Sequence, residues 1–124
     1  MKRILVAEDD TTTQTLIRTA LQATYLIVTA SDGDEALEIA RRDGDIQLII
    51  CDIMMPKKTG IEMVELLRKT PGRERIPVIF LTTRGTPDDV KAAIALKAVN
   101  YLKKPIRIAM LRDSVRKALY PPPT

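Results

Sequence analysis

The chain has 124 residues, of which 45% are hydrophobic and 29% are charged, a composition typical of one folded globular domain. It contains no histidine and a single cysteine, Cys51, which excludes histidine triads, histidine metal sites, internal disulfides and multi-cysteine zinc sites. The longest stretch without a charged residue, 19–31, is shorter than the roughly 18 apolar residues of a membrane-spanning helix. We therefore expect a cytoplasmic protein in a reducing compartment, without a membrane segment.

The net charge of +4 is unevenly distributed along the chain. The segment 97–124 is strongly basic, and the residues before it carry a small net negative charge. Such a segment is either a solvated helix face or a docking surface for an acidic partner. Direct nucleic-acid binding is not expected, because aromatic residues are only 3% of the chain and no reading motif is present. The charged residues of this segment are Lys97, Lys103, Lys104, Arg107, Arg112, Arg116 and Lys117, with Asp113 as the one acid.

Five apolar runs alternate with five helical patterns along the chain. The runs predict strands at 4–7, 25–29, 46–51, 77–81 and 101–102. Apolar residues at helical spacing follow each run. In the first helical pattern, residues such as Leu16 recur from Thr13 onward, and the second pattern stops near Gly44. The third pattern begins at Gly60 and ends before Pro71, and the last covers 108–119. Helix-capping signals stand at Asp10 with Thr11, and at Thr86 followed by Pro87.

This alternation of strand and helix predicts an α/β fold with a parallel sheet and helices on both faces. Five such units fit a five-stranded doubly wound sheet of flavodoxin-like order 2-1-3-4-5, flanked by five helices. We expect one domain over residues 1–120. The proline-rich residues 121–124 would form a tail or the start of a linker.

Polar residues follow four of the five predicted strands, where ligands bind in open parallel sheets. Strands 1 and 3 flank the switch point of this strand order, so the carboxylates that follow them are expected to converge and repel one another. A cluster that offers only oxygen ligands suits Mg²⁺. Acids, a metal ion, a hydroxyl and a lysine together form a constellation for a phosphoryl group. The residues that follow these strands are Glu8, Asp9 and Asp10, then Asp52, then Thr82 and Thr83, then Lys103, Lys104 and Pro105.

At these residues the sequence resembles the receiver domain of bacterial two-component response regulators, over residues 2–119. The motifs that carry the resemblance are ILVAEDD at 4–10, ICDIMMP at 50–56 with Gly60, FLTT at 80–83 and YLKKP at 101–105. The resemblance implies a phosphorylation-activated signalling switch. It implies no enzymatic activity beyond the domain's own Mg²⁺-dependent phosphorylation and dephosphorylation.

The resemblance also implies roles for individual residues. Asp52 would be the phospho-acceptor, Thr82 the hydroxyl that binds the phosphoryl group, and Lys104 the lysine beside it, with Lys103 as its solvent-facing neighbour. Asp9 and Asp52 would bind Mg²⁺ directly and Glu8 through water. The backbone carbonyl of Met54 would complete the protein ligands.

Tyr101 would be the aromatic switch residue, acting together with Thr82. The phosphoryl donor would be a histidine kinase, a histidine phosphotransfer protein or a small acyl phosphate. A downstream effector would bind the face of helix 4, strand 5 and helix 5. The segment 97–100 (KAVN) lacks the acids that related transcription factors use to dimerise through this face, and Ile106 replaces their common phenylalanine. We therefore expect a monomer when the protein is unphosphorylated.

Met54 and Arg84 lie two residues beyond Asp52 and Thr82, at positions that in the resembling family flank the path of the hydrolytic water. Both side chains are large, so we expect slow self-dephosphorylation.

Three rival functions are less favoured by the sequence. A phosphatase of the dehalogenase type with an aspartate nucleophile needs an acid where Met54 stands. A flavodoxin would not place acids such as Glu8 and Asp9 in its phosphate loop. A P-loop motif is absent. It stays open whether the chain is a stand-alone receiver or the N-terminal receiver of a larger regulator with an output domain.

Overall fold

Five parallel strands form one sheet in the order β2-β1-β3-β4-β5, with helices on both faces, in a computed structural model that describes residues 1–121. This confirms the predicted fold class and strand order. Of the predicted tail at 121–124, all but Pro121 lies outside the described residues. No helix within 1–121 is long and apolar enough to cross a membrane. The elements are β1 (Arg3–Ala7), α1 (Thr11–Leu21), β2 (Leu26–Ala30), α2 (Gly33–Arg42), β3 (Ile46–Asp52), α3 (Gly60–Arg68), β4 (Val78–Thr82), α4 (Pro87–Ala95), β5 (Asn100–Lys103) and α5 (Ile108–Leu119).

The central strands are buried on both faces, which explains their nearly continuous apolar sequences. Leu5 and Ile49 belong to a core cluster that also contains residues of α2 and α3. Val6 and Ile50 belong to a second cluster, which contains residues of α1 and α5. Because consecutive side chains of a strand point to opposite faces, one short strand contributes to both clusters.

Local capping signals set the beginnings of two helices as predicted. Asp10 accepts a hydrogen bond from the backbone N–H of Thr13 at the start of α1, and Thr86 accepts one from Asp89 at the start of α4. Pro87 occupies the first turn of α4, where its missing N–H costs nothing.

Strand ends differ from the prediction by about one residue. β2 begins at Leu26 instead of 25, because Leu26 pairs with Arg3 at the start of β1. β4 and β5 both extend to include a polar residue, since Thr82 pairs with Lys103. Pairing with a neighbouring strand, rather than the local sequence, decides where these strands end.

Two apolar residues at helical spacing are more exposed than the pattern indicates. Leu16 is 37% and Ile108 is 38% exposed. α1 buries Ile17 and Leu21 instead, and Ile108 is only the first residue of α5.

α4 is held mainly at its C-terminal end. Among its described residues only Ala93 is buried. The Arg68 guanidinium donates hydrogen bonds to the carbonyl of Leu96 at 3.0 Å and to that of Ile76 at 2.6 Å, which ties the end of α4 to the segment before β4. Burial lowers the pKa of Arg68 from its ordinary value, but a guanidinium stays charged.

Candidate functional site

Three carboxylates meet at the C-terminal edge of the sheet. Glu8 and Asp9 directly follow β1, and Asp52 is the last residue of β3. One oxygen from each lies within 4.8 Å of the others. Glu8 is fully buried and Asp52 is 5% exposed, whereas Asp9 is exposed. The predicted convergence of these acids is therefore present in the structure.

Lys104 lies between two of these carboxylates, as the strand order predicts. Its Nζ donates to Asp52 Oδ2 at 2.6 Å and to Glu8 Oε1 at 3.0 Å. Its backbone N–H donates to the carbonyl of Thr82 at 2.7 Å, which fixes the start of this loop to the end of β4. The Lys104–Pro105 peptide is cis. Lys103, in contrast, is exposed.

The buried charges shift one another's pKa values. Burial raises the pKa of Glu8, the hydrogen bond from Lys104 opposes this, and nearby Asp52 raises it further, to about 7. Burial alone would lower the pKa of Lys104, but hydrogen bonds to Asp52 and Glu8 raise it above its ordinary value. The lysine thus holds a positive charge between the two acids.

The acidic cluster fits a hard divalent cation. Within residues 1–121, the buried Glu8 Oε2 forms an ion pair with Lys104 Nζ at 2.9 Å but accepts no well-aligned hydrogen bond. The neighbouring thiol of Cys51 is fully buried, and burial raises its pKa far above the ordinary range, so it does not act as a thiolate ligand. A cluster of three carboxylates, which offer only oxygen ligands, matches the preference of Mg²⁺.

Thr82 and Tyr101 meet on a single backbone carbonyl. The Thr82 side chain is buried, and its hydroxyl donates to the carbonyl of Arg84 at 2.6 Å. The half-buried Tyr101 donates its hydroxyl to the same carbonyl at 3.0 Å. The sequence pairs Thr82 with Tyr101 but provides no sign of this shared acceptor, since any residue at 84 offers a carbonyl.

The loop that follows Asp52 is held by backbone contacts. The N–H of Met54 donates to Asp52 Oδ1 at 3.1 Å, while its side chain is 54% exposed. The N–H of Gly60 donates to the carbonyl of Ile53 at 2.8 Å, and that of Gly33 donates to the carbonyl of Pro56 at 3.2 Å. These bonds keep the starts of α2 and α3 against the loop.

Gly60 is required by the close approach of α3 to Asp52. A β-carbon at Gly60 would lie 2.2 Å from the Asp52 carbonyl oxygen and 2.9 Å from Cys51 Sγ, so the backbone beneath Asp52 would have to move. We expect Gly60→Ala to lower the free energy of unfolding by at least about 1–3 kcal/mol, the usual cost of overpacking.

Gly85→Ala is the matched control for this prediction, because a β-carbon there makes only an ordinary contact with Lys103, at 3.7 Å. Urea unfolding measures the free energy of unfolding of both variants. Equal free energies of unfolding for Gly60→Ala and Gly85→Ala would contradict the steric argument for Gly60.

Comparison with known proteins identifies the family of this chain. Residues 4–116 match the family model described as the response regulator receiver domain. The transcriptional regulatory protein CpxR of Escherichia coli is 35% identical, over 95% of this chain and 51% of that protein. A probable cyclic di-GMP phosphodiesterase of Vibrio cholerae is 35% identical, over 94% of this chain and 26% of that protein.

The solved structures show the same relationship. The chemotaxis protein CheY4 of Vibrio cholerae superimposes with a TM-score of 0.89 and is 31% identical, with 96% of this chain and 99% of that chain covered. The receiver domain of the Francisella response regulator 1452 has a TM-score of 0.86 and 28% identity, with 96% and 97% covered.

The chain therefore belongs to the response regulator receiver domain family. It is homologous to the receiver parts of response regulators and, as such, a switch module of two-component signalling. Domains of this family interact with histidine kinases and with effectors. The chain spans about half the length, or less, of the curated relatives cited above.

Proposed function

We propose that this domain accepts a phosphoryl group on Asp52 and changes its partner binding in response. The observation that carries the proposal is the contact of Lys104 Nζ with Asp52 Oδ2 at 2.6 Å, at an edge where a second and a third carboxylate gather. Such an arrangement places positive charge where the oxygens of an incoming phosphoryl group would lie, and Asp52 Oδ1, which accepts the Met54 N–H, acts as the nucleophile.

The transfer step balances without a further reactant. An Asp52 carboxylate oxygen attacks phosphorus, and the new O–P bond forms as the bond to the leaving group breaks. An acyl phosphate releases a carboxylate, which needs no proton, whereas phosphohistidine releases an imidazole, which takes up one proton from water. The Lys104 ammonium neutralises charge on the transferred oxygens, and the Thr82 hydroxyl turns from the Arg84 carbonyl to donate to one of them.

The residues that would hold Mg²⁺ are Asp9, Asp52, Glu8 through water, and the backbone carbonyl of Met54. Bound there, the ion supplies positive charge to the phosphoryl oxygens. We infer no enzymatic activity on other substrates. The relative that is named a phosphodiesterase is far longer than this chain.

The test is to label the protein with acetyl phosphate and Mg²⁺ and to map the modified residue. Reduction with borohydride converts an aspartyl phosphate into homoserine, which mass spectrometry of peptides locates. We expect one phosphoryl group per chain, with homoserine at 52. Homoserine at another acid, or an unlabelled protein, would contradict the proposal.

The effector surface we propose is the face of α4, β5 and α5. It carries exposed apolar side chains, with Ile94 70% and Val99 50% exposed. Its positive charge comes from Lys97 and Lys103, which are exposed before and at the end of β5. Arg116 and Lys117 of α5 are paired with Asp113, and Arg112 is turned to α1, where it donates to the carbonyl of Ala20. A cavity of about 220 Å³ on this face is lined by Val90, Ala93, Ile94, Ala98, Asn100 and Tyr101.

This combination fits an acidic, amphipathic partner element whose affinity falls as salt is added. The proposed phosphoryl donor is a histidine kinase or a histidine phosphotransfer protein. We propose that the receiver domain covers residues 1–120, lies in the cytoplasm and is monomeric when unphosphorylated.

Beryllofluoride, which imitates the phosphoryl group, is expected to shift the NMR signals of Thr82, Tyr101 and residues 87–117. Shifts confined to Glu8, Asp9 and Asp52 would mean that no switch reaches this face.

The lifetime of the phosphorylated form provides a separate prediction. We expect slow self-dephosphorylation, because Met54 and Arg84, two residues beyond Asp52 and Thr82, carry large side chains that would hinder the attacking water. The double variant Met54→Ala, Arg84→Ala should lose its label several-fold faster than the parent.

A control for the lifetime is the double variant Leu26→Ala, Arg75→Ala, since Leu26 is 45% exposed at the start of β2, away from the acidic cluster, and Arg75 is exposed. The rate at which radioactive phosphate is lost is measured for the parent and for both double variants. If Met54→Ala, Arg84→Ala loses its label no faster than the control, these side chains do not shield the phosphoryl group from water.

A further inference from the structure

The three consecutive acids Glu8, Asp9 and Asp10 serve three different purposes. Glu8 is buried against Lys104, Asp9 is exposed and contributes an oxygen to the acidic cluster, and Asp10 caps α1 through the N–H of Thr13 at 3.0 Å. They lie beyond Ala7, the last residue of β1. The direction in which each carboxylate leaves the backbone therefore depends on what holds the peptides between them.

Gln14 holds the peptide that joins Glu8 to Asp9. Its side-chain Nε2 donates to the carbonyl of Glu8 at 3.0 Å and also to the carbonyl of Ala30 at 3.4 Å. Ala30 is the last residue of β2, and its carbonyl also accepts the N–H of Glu8 at 3.0 Å. One half-buried amide thus connects α1 to the ends of two strands at the acidic cluster.

An uncharged donor is suited to this position. A lysine or arginine could donate to the same carbonyls, but it would add positive charge beside the carboxylates and oppose the binding of a cation. Glutamine supplies the donors without that charge. Its amide donates a hydrogen bond to the carbonyl of Glu8, which lies one residue past the end of β1.

We propose that Gln14 is a positioning residue of the acidic cluster, which sets the affinity for Mg²⁺ by holding the Glu8–Asp9 peptide in place. The inference rests on the proposed function only in so far as the cluster binds a cation. It does not depend on phosphorylation of Asp52.

The test is a Mg²⁺ titration in the absence of any phosphoryl donor, followed by the amide NMR signals of Glu8, Asp9 and Asp52. Gln14→Met keeps the length of the side chain and removes both donors. We expect its Kd for Mg²⁺ to rise about tenfold, the lower end of the loss found when a residue that orients metal ligands is replaced. Gln14→Asn, which draws the amide back by one methylene, should also bind more weakly than the parent.

Gln22→Met is the control, because Gln22 is exposed at the C-terminal end of the same helix, and it should bind Mg²⁺ as the parent does. Urea unfolding without Mg²⁺ separates positioning from a merely structural role. A structural role would lower the unfolding free energy of Gln14→Met and leave its Kd for Mg²⁺ unchanged.

An unchanged Kd in Gln14→Met would overturn this inference and leave the proposed function intact. A parent protein that does not bind Mg²⁺ would overturn the inference and the metal part of the proposed function together.

Discussion

Asp52→Asn is expected to abolish labelling by acetyl phosphate in the presence of Mg²⁺. Asparagine has nearly the same shape as aspartate but lacks the anionic oxygen that attacks phosphorus. The remaining contact of Lys104 with Glu8 keeps one buried ion pair in place, so the variant should fold. The loss of label should therefore be complete, and it should reflect the missing nucleophile rather than an unfolded protein.

Asp88→Asn is the matched control for this prediction, because Asp88 is an exposed acid in the first turn of α4. It should be labelled at the rate of the parent. Circular dichroism and urea unfolding check that both variants are folded. Persistent full labelling of Asp52→Asn would refute the assignment of the acceptor.

Lys104→Met is expected to destabilise the protein strongly at high pH and much less at low pH. The variant leaves two buried carboxylates, Glu8 and Asp52, without their shared cation. Removing one partner of a buried ion pair typically costs about 3–5 kcal/mol, and we expect the loss to approach this value at a pH where Glu8 is ionised.

The pH dependence follows from the pKa of Glu8. In the parent this pKa is raised from 4.5 in the unfolded chain to about 7 in the folded protein. Between these two pH values the folded protein holds a proton on Glu8 that the unfolded chain has released. The contribution of Glu8 to the free energy of unfolding is therefore complete below about pH 4.5 and is lost as the pH rises to about 7. Lys104 lowers the pKa of Glu8, so its removal raises that pKa and extends the decline to higher pH.

Urea unfolding of parent and variant across this range measures the effect, with Lys103→Met as the control because Lys103 is the exposed neighbour. Added Mg²⁺ should restore part of the lost stability of Lys104→Met, since a cation at the acidic cluster replaces the missing charge. A loss of stability that is the same at both ends of the pH range would contradict this account.

The sequence by itself determined the features that depend on a few neighbouring residues or on strand order. Continuous apolar runs predicted the doubly covered strands, and Asp10 and Thr86 marked helix starts because a cap acts within three residues of itself. Strand order then placed Glu8, Asp52 and Lys104 at one edge, since parallel strands end together there.

Only the tertiary structure decided how these residues contact one another. Thr82 and Tyr101 share the carbonyl of Arg84, Gly60 packs against the carbonyl of Asp52, and Gln14 holds the peptide after Glu8. Each contact uses a backbone carbonyl, which every residue has, so no side-chain pattern could reveal it. The exposure of Leu16 and the ends of the strands were likewise set by which neighbours pack or pair. Local chemistry thus identified the groups at the site, and packing between distant segments determined their geometry.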